Sequence, residues 1–483
     1  MVSGLICVSM CTLRRWVSLS SPGCAEICGS LVRCRAAGAA IDASGRMNAW
    51  WSRLVVKSHT MAYDTSNGST SSNSPITQFS DVIGLKVSMQ FAPIRRLDDH
   101  ALAGAELQLR GPDNSSLSSA HALRRASQLM QQRSEFDSHK LAMSRTALAC
   151  TVADRLPLLV AVDSASRAAL NAPGIEGATR NLQRIVITVD SASVLTDPHN
   201  SLAVIREARA GGRLIALDGV GIDRHSATLL SLVEPDIIIT SAELLSKAAY
   251  FEVGTTVHAL GAYVERSNAI ILAEGVDSES SRLAAITIGA TYGTGELYPA
   301  VDDPSSLLSE PVVAMPDSPV WSDPIPEVGT PYSIVSAHSR IRRGTKRLLI
   351  QLSKSLEAQA ATSGSSMLVL GTFQQAEHFT ASTTARWRHL ADTVGFAGVY
   401  GVGLSVMLDG KVQHAPLDPG DDLVNEWTVV TLGPHHAAML SARDLHDNGP
   451  DLERTFDFVQ TYDRTAVTQA AHSILRRYPT TNS

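Results

Sequence analysis

The sequence predicts an α/β protein in which a (β/α) barrel precedes a smaller, mixed α/β domain. Three observations support this fold class. Eight short apolar runs alternate with helix-like segments from residue 76 to about residue 300. A stretch dense in proline follows, and a second series of apolar runs and amphipathic segments occupies the remainder of the chain. Repeated β–α units over more than 200 residues are typical of one parallel α/β domain, and this length suits a barrel.

The barrel strands are predicted from short apolar runs bounded by turn-forming residues. They lie at 86–91, 105–110, 157–163, 184–190, 213–218, 236–240, 269–273 and 289–292. The segments between them are amphipathic, as at 279–287. Parallel strands need such crossover helices, so the pattern predicts a single parallel domain.

Four regions follow from composition. Residues 1–77 are predicted to be a disordered, cysteine-containing leader that ends in a Ser/Asn linker, and residues 78–305 the barrel. Proline lacks a backbone donor and fixes φ, so residues 306–331 are expected to be an extended linker. The second domain is predicted at 332–480, with helices at 347–360, 380–393 and 463–477 and strands at 367–370, 397–407 and 427–432.

Bulk composition excludes several classes of protein. With 44% hydrophobic and 18% charged residues, the chain is an ordinary globular protein. A net charge of −6 argues against nucleic-acid binding, and the basic run at 340–347 is interpreted as a solvated helix start. The sequence has no apolar run long enough for a membrane span, which predicts a cytoplasmic protein.

Five of the six cysteines lie within the first 34 residues. They are interpreted as part of a poorly structured leader, because their CxxxC spacing is loose for zinc and no histidine lies near them. A metal or redox cluster is the alternative.

Six short stretches occur in the order and spacing of a known family. They are FAPIRRL (91–97), AELQLRG (105–111), ALDGVG (216–221), DIII (236–239), AEGVD (273–277) and TYGTGELY (291–298). With these stretches the barrel resembles the EAL domain, a TIM-like barrel that hydrolyses the bacterial second messenger cyclic di-GMP. The stretches LVLGTFQQAEHFT, GFAGVYGVGLS and FDFVQTYDRTAV make the second domain similar to the DICT domain, a sensory module.

The resemblance implies hydrolysis assisted by a pair of Mg²⁺ or Mn²⁺ ions, which need several oxygen ligands. Glu106, Asp218 and Glu274 match acidic positions of the family. Five other active-site positions carry residues that cannot do the same chemistry, namely Ala161, Ile187, Gly219, Ile239 and Thr294. We therefore predict no catalytic residues and no metal ligands, so that the barrel is not a phosphodiesterase.

Ligand binding is a separate question from hydrolysis. Arg110 matches an arginine that contacts a phosphate of the dinucleotide, whereas Ala92 replaces a guanine-reading glutamine. The candidate ligand-binding positions are Glu106, Arg110, Asp218 and Glu274. An equally weighted alternative makes Glu106, Arg110 and Asp218 a relic ion-pair cluster. Asp163 is a less favoured replacement ligand, because it lies two residues beyond Ala161 on its strand.

These observations predict a bacterial signalling protein that acts by protein interaction or by weak sensing of cyclic di-GMP. It would need no cofactor, and its partners would be signalling proteins bound through the barrel or the second domain. A homodimer stays open. The alternative is an impaired cyclic di-GMP phosphodiesterase that uses Mg²⁺ or Mn²⁺ bound to the three retained acids.

Overall fold

The computed structural model describes residues 80–82, 84–148, 156–166, 185–223, 225–247, 250–316, 320–321 and 329–479. The leader and Ser/Asn linker predicted at residues 1–77 lie outside these residues.

The first domain is a closed barrel of eight strands, β2 to β9, and β1 extends its edge. The strands are β1 (Ser80–Val82), β2 (Leu85–Arg96), β3 (Leu102–Arg110), β4 (Leu158–Asp163), β5 (Ile185–Asp190), β6 (Leu214–Val220), β7 (Ile237–Thr240), β8 (Ile270–Glu274) and β9 (Tyr292–Thr294). Pairing of β2 with β9 closes the barrel, so the predicted fold class is confirmed.

One strand differs from the prediction of an all-parallel domain. β2 is antiparallel to both of its barrel neighbours, β3 and β9, whereas β3 to β9 are parallel to one another. The reason is the short connection between β2 and β3, residues 97–101, which allows a hairpin but no crossover helix.

Helices surround the described part of the barrel. They are α1 (Ala120–Leu129), α2 (Arg133–Leu148), α3 (Ser191–Thr196), α4 (Pro198–Ala210), α5 (Leu230–Val233), α6 (Ala242–Ser246), α7 (Phe251–Ser267) and α8 (Glu279–Thr287). Side chains alternate along each strand between the barrel interior and this outer layer. Interior positions form a small apolar cluster that includes Leu159, Ala161, Val186, Ala216, Ile239 and Leu272.

Two described parts of the predicted linker, residues 306–316 and 320–321, pack against the barrel, whereas an extended spacer was expected. Pro304–Ser309 forms a 3₁₀ turn. The amide of Val313 donates to the carbonyl of Leu102 at 2.8 Å, and Met315 is buried beside the barrel interior. Composition alone failed here because apolar residues between the prolines gain more from burial than the extended chain gains from solvation.

The second domain is a mixed eight-stranded sheet with helices on both faces. Its elements are α9 (Pro331–Ser336), β10 (Arg342–Thr345), α10 (Lys346–Ser363), β11 (Leu368–Gln375), α11 (Ala381–Thr393), β12 (Phe396–Val402), β13 (Met407–Asp409), β14 (Val412–Pro416), β15 (Glu426–Leu432), β16 (Ala437–Asp444), β17 (Thr455–Thr461) and α12 (Arg464–Leu475). The strand order is β10-β17-β16-β15-β11-β12-β14-β13, with β11, β12 and β14 parallel. The mixed α/β prediction is confirmed.

Two local predictions for this domain were wrong. Only the last two residues of the basic run begin a helix, which starts at Lys346, because Arg342–Thr345 forms edge strand β10 and pairs with β17. The strand predicted at 397–407 ends at Val402, and residues 407–409 form the separate strand β13. Within the described residues, no helix is both long and apolar enough to cross a membrane.

Candidate functional site

Strand β3 supplies the first functional side chains by simple alternation. Glu106, Gln108 and Arg110 are partly exposed, whereas Leu107 and Leu109 between them are buried beneath the helices. On β2, Ala92 lies opposite Glu106, and Gln90 lies opposite Gln108. These residues line a cavity of about 590 Å³ at the barrel mouth. That volume is within the range of small-molecule sites.

Asp218 at the mouth is neutralised by an arginine that sequence patterns did not reveal. The Arg124 guanidinium, from α1, contacts the Asp218 carboxylate, which is 9% exposed. Ser119 caps α1 and fixes where the helix begins, so Arg124 lies on the second turn facing the mouth. No sequence motif links α1 to β6, so residue spacing does not predict that Arg124 contacts Asp218.

Arg124 also interacts with the other two retained acids. Burial lowers the pKa of its guanidinium, but the charges of Asp218, Glu274 and Glu106 outweigh this effect and hold the pKa above its usual value. The arrangement is therefore one cation among three carboxylates.

Lys140 from α2 is a second buried cation at this end of the barrel. Its Nζ donates to the carbonyl of Ala161 at 2.9 Å. Burial lowers the pKa of Lys140, and the charge of Glu106 opposes this change. Ala161 is the position at which the resemblance would place a ligand asparagine.

Glu274 at the end of β8 is a carboxyl group with a perturbed pKa. Burial, followed by repulsion from Asp218 and Glu106, raises the pKa of Glu274 to about 8, although Arg124 acts in the opposite direction. The chain can turn directly after this residue because Gly275 has φ of +76°, a conformation that favours glycine. Glu274 therefore binds a proton more readily than an exposed glutamate does.

Two more aspartates at the strand ends are already bonded within the protein. Asp163 accepts from Arg133 Nη2 at 3.0 Å. Asp190 accepts from the amide of Ser193 at 3.1 Å and caps α3. The replacement role considered for Asp163 therefore competes with an existing ion pair.

Three of the five replaced active-site positions face the barrel interior or its mouth. Ala161 and Ile239 face the barrel interior, and Thr294 lines the mouth cavity. Ile187 differs: it packs in the outer core, whereas Val186 before it faces inward. The inward positions on β5 near the mouth are therefore Thr188 and Asp190, because strand side chains alternate.

The four residues predicted as ligand-binding all lie at the carboxyl end of the barrel strands, but they do not form one cluster. Asp218, Glu274 and Glu106 surround Arg124, whereas Arg110 is at the rim and contacts Asp113. Within the described residues, no three Asp, Glu, His or Cys side chains are grouped so that they could hold a metal ion. Gln90 and Gln108 are further mouth residues that the sequence analysis did not single out.

Comparison with protein families agrees with this geometry. Residues 81–300 match the model of the EAL domain. Residues 334–445 match the DICT model, described as a sensory domain in diguanylate cyclases and two-component systems. The chain contains an EAL domain followed by a DICT domain. A comparison with curated proteins gave no match.

Several solved EAL structures are similar to part of the chain. The Xanthomonas citri FimX EAL domain in complex with c-diGMP is 18% identical with a TM-score of 0.37, over 45% of this chain and 89% of that one. The Klebsiella pneumoniae BlrP1 manganese/cy-diGMP complex at pH 6 is 19% identical with a TM-score of 0.37, over 46% and 58%. The Pseudomonas aeruginosa FimX EAL domain bound to c-di-GMP is 18% identical with a TM-score of 0.35, over 45% and 92%.

Proposed function

We propose that this chain is a cyclic di-GMP signalling protein whose EAL domain does not hydrolyse the dinucleotide. The EAL and DICT domains together point to that signalling system. The observation that supports a non-hydrolytic barrel is Arg124, whose guanidinium lies among Asp218, Glu274 and Glu106.

The charge balance at the mouth disfavours a divalent ion. Mg²⁺ and Mn²⁺ bind oxygen ligands at about 2.0–2.2 Å and draw most of their affinity from carboxylate charge. Here one carboxylate, Asp218, is paired with Arg124, and burial together with the neighbouring acids raises the pKa of a second, Glu274. A metal would have to displace the Arg124 guanidinium, so these residues do not fit the metal pair of a phosphodiesterase.

The groups that would stabilise charge during phosphodiester cleavage are also replaced. The resemblance places an active-site lysine at Ile239, which packs in the apolar interior cluster. Electrostatic stabilisation of the transition state is usually the largest single contribution to catalysis. A mouth that disfavours both metals and lacks this lysine supports a barrel that transmits a signal by binding.

Polar side chains at the mouth are still available to contact a dinucleotide. Arg110, Gln90 and Gln108 line the cavity and offer one guanidinium and two amides. An arginine contact to a phosphate contributes roughly 1.5–3 kcal/mol, which is small beside the roughly 8 kcal/mol of a micromolar complex. We propose weak cyclic di-GMP binding, with protein partners as the main output.

A hydrolysis assay tests the proposal. Purified full-length protein is incubated with cyclic di-GMP and Mn²⁺, and linear dinucleotide is quantified by chromatography. We expect no product above the level given by the Glu106→Ala variant. Product formed at an enzymatic rate by the wild type, and lost in Glu106→Ala, would overturn the proposal.

The alternative, an impaired metal-dependent phosphodiesterase, rests on the three retained acids Glu106, Asp218 and Glu274, whose charges all act on Arg124. It requires metal binding in the absence of substrate. Calorimetric titration with millimolar Mg²⁺ or Mn²⁺ separates the two functions, because only the phosphodiesterase predicts saturable heat that disappears in Asp218→Asn.

A further inference from the structure

The DICT domain contains a cavity of about 450 Å³ on the sheet face covered by α10 and α11. Two apolar clusters pack on this face. One contains Trp387 and Val399 from the α11 side, and the other contains Leu349 and Phe458 from the α10 side. The cavity lies beside both, and polar side chains line it. Polar side chains between two apolar clusters reduce stability, so stability alone would favour packing both clusters into one continuous core.

Strand β11, at the centre of the sheet, is distorted where it reaches the cavity. Its pairing with β12 shifts register between Thr372 and Gln375. Within this bulge Gln374 has φ of +58°, in the left-handed region that non-glycine residues seldom adopt. Bulges and left-handed residues occur where a strand must aim a particular side chain. Here both Gln374 and the neighbouring Phe373 line the cavity.

Two polar side chains in the cavity wall, Gln374 and Ser353, have a weak hydrogen bond or none within the described structure. The Gln374 amide nitrogen is 3.5 Å from the Asp444 carboxylate, at the limit of a hydrogen bond. Ser353 is 3% exposed, lines the cavity, and its hydroxyl oxygen has no hydrogen-bond partner in the described structure. A buried hydroxyl without a partner costs about 1–3 kcal/mol. A ligand with a complementary group would recover that free energy.

Three aromatic side chains complete the wall. Phe373 contributes from β11, Trp427 from β15 and Phe456 from β17. Trp427 and Phe456 make an edge-to-face contact with ring centroids 6.0 Å apart. Phe373 is held by Trp387 at a centroid distance of 5.6 Å. Fixed aromatic faces favour a flat, unsaturated ligand over a flexible aliphatic one.

The charged side chains around the cavity balance one another. Arg386 Nε donates to Glu357 Oε2 at 2.5 Å, and Lys346 Nζ donates to Asp451 Oδ1 at 2.6 Å. The other charged lining residues, Lys354 and Glu377, have opposite signs. Since the wall carries no surplus of either charge, it favours an uncharged ligand over a phosphate or a carboxylate.

We propose that this cavity of the DICT domain binds a neutral, planar nitrogen heterocycle, with Gln374 and Ser353 bonding its polar edge and the aromatic residues contacting its faces. The amide of Gln374 can donate and accept at once, which matches the paired donors and acceptors of such rings. This site lies in the second domain and is independent of the barrel mouth.

Equilibrium dialysis of the full-length protein with adenosine, guanosine and riboflavin tests the proposal. These probes share an uncharged heterocycle of two or three fused rings. We expect saturable binding of at least one probe below about 100 µM. If none of the three binds below 1 mM, the proposal is overturned.

The decisive variant is Gln374→Gly. Glycine adopts positive φ without strain, so the variant is expected to fold at least as well as the wild type while lacking the amide. We expect probe affinity to fall at least tenfold with no loss of thermal stability. Unchanged affinity in Gln374→Gly would overturn the proposal, because it would mean that the amide does not contact the ligand.

Ser353→Leu fills the cavity and should abolish binding. The matched control is Ser355→Leu on the exposed side of α10, which should bind like the wild type. If Ser353→Leu does not fold, Gln374→Gly still decides the outcome. Equal binding by Ser353→Leu and Ser355→Leu would count against this location.

Discussion

His472 of the second domain, in the helix that follows the DICT match, donates a hydrogen bond of 2.7 Å from Nε2 to the main-chain carbonyl of Leu232 in the EAL domain. Leu232 lies in the short helix α5, whose last carbonyls have no partner within the helix. Helix α12, which carries His472, also packs on the DICT sheet. One helix therefore contacts both domains, and its apolar residues belong to the same core as the outer layer of the barrel.

The His472 contact predicts acid sensitivity. Burial, reinforced by nearby arginines, lowers the pKa of His472 from 6.5 to about 4, despite the hydrogen bond to Leu232. Because the unfolded chain binds the proton more readily, stability should fall as pH drops from 6.5 towards 4. From pH 7 to pH 5 the expected loss from this residue is roughly 2 kcal/mol.

Thermal unfolding of the wild type and of His472→Gln at pH 7 and pH 5 measures this loss. The glutamine variant keeps a donor but cannot titrate, so its pH dependence should be smaller by that amount. The matched control is His389→Gln, an exposed histidine on α11, which should retain the wild-type dependence. Identical pH slopes for all three proteins would contradict the assignment to His472.

Replacing Arg124 should expose the acid cluster to metal ions. Arg124→Ala removes the cation that pairs with Asp218, and a destabilisation of about 2 kcal/mol is expected since the site is partly open to solvent. Millimolar Mg²⁺ or Mn²⁺ should then raise the melting temperature of the variant more than that of the wild type.

The control for this experiment is Arg125→Ala, which removes the adjacent, exposed arginine of α1. It should show neither the loss of stability nor the response to metal. If divalent ions stabilise the wild type and Arg124→Ala equally, Arg124 is not what keeps the ions out.

The barrel could be predicted from sequence because its strands are mostly short and apolar and because amphipathic segments separate most of them. The resemblance places Ala161 and Ile239 at active-site positions, and both face the barrel interior. It also places Ile187 at such a position, but this side chain packs on the outer face of the barrel. A shift of one residue in the register reverses every side chain of a strand, and a β strand of apolar residues gives no internal check on that shift.

Arg124 and Lys140 could not be predicted in the same way. Both come from helices, and each reaches a strand that is distant in the chain: Arg124 contacts Asp218, and Lys140 contacts Ala161. Residue spacing reports neighbours within one element, whereas these contacts depend on how two elements pack. The DICT cavity was missed for a related reason, because the bulge at Gln374 appears only in the strand pairing.

Binding of cyclic di-GMP should be weaker than about 1 µM, which corresponds to −8.2 kcal/mol. Arg110→Ala should weaken it by a further factor of roughly 10 to 100, the loss expected for one charge-assisted hydrogen bond. Equilibrium dialysis with labelled dinucleotide measures both values. A tighter wild-type complex whose dissociation constant does not change in Arg110→Ala would place the phosphate contacts on other residues. Arg95, which already pairs with Glu310, is the matched control position.

Gly395 lies at the contact between the two domains, and a substitution there tests that contact. A methyl group added there would lie 1.8 Å from Thr228 Oγ1 of the EAL domain and 2.3 Å from the carbonyl of Ser365. These two groups are hydrogen-bonded to each other at 2.8 Å, so neither can move without breaking that bond.

Gly395→Ala should therefore lower the free energy of unfolding by about 1–3 kcal/mol and weaken the contact between the domains. Calorimetric unfolding should change from one transition to two. Gly254→Ala, in helix α7 with no atom within 4 Å of the added methyl, should instead raise stability by about 0.5–1 kcal/mol. A single transition at the wild-type temperature in Gly395→Ala would mean that the domains do not make this contact in solution.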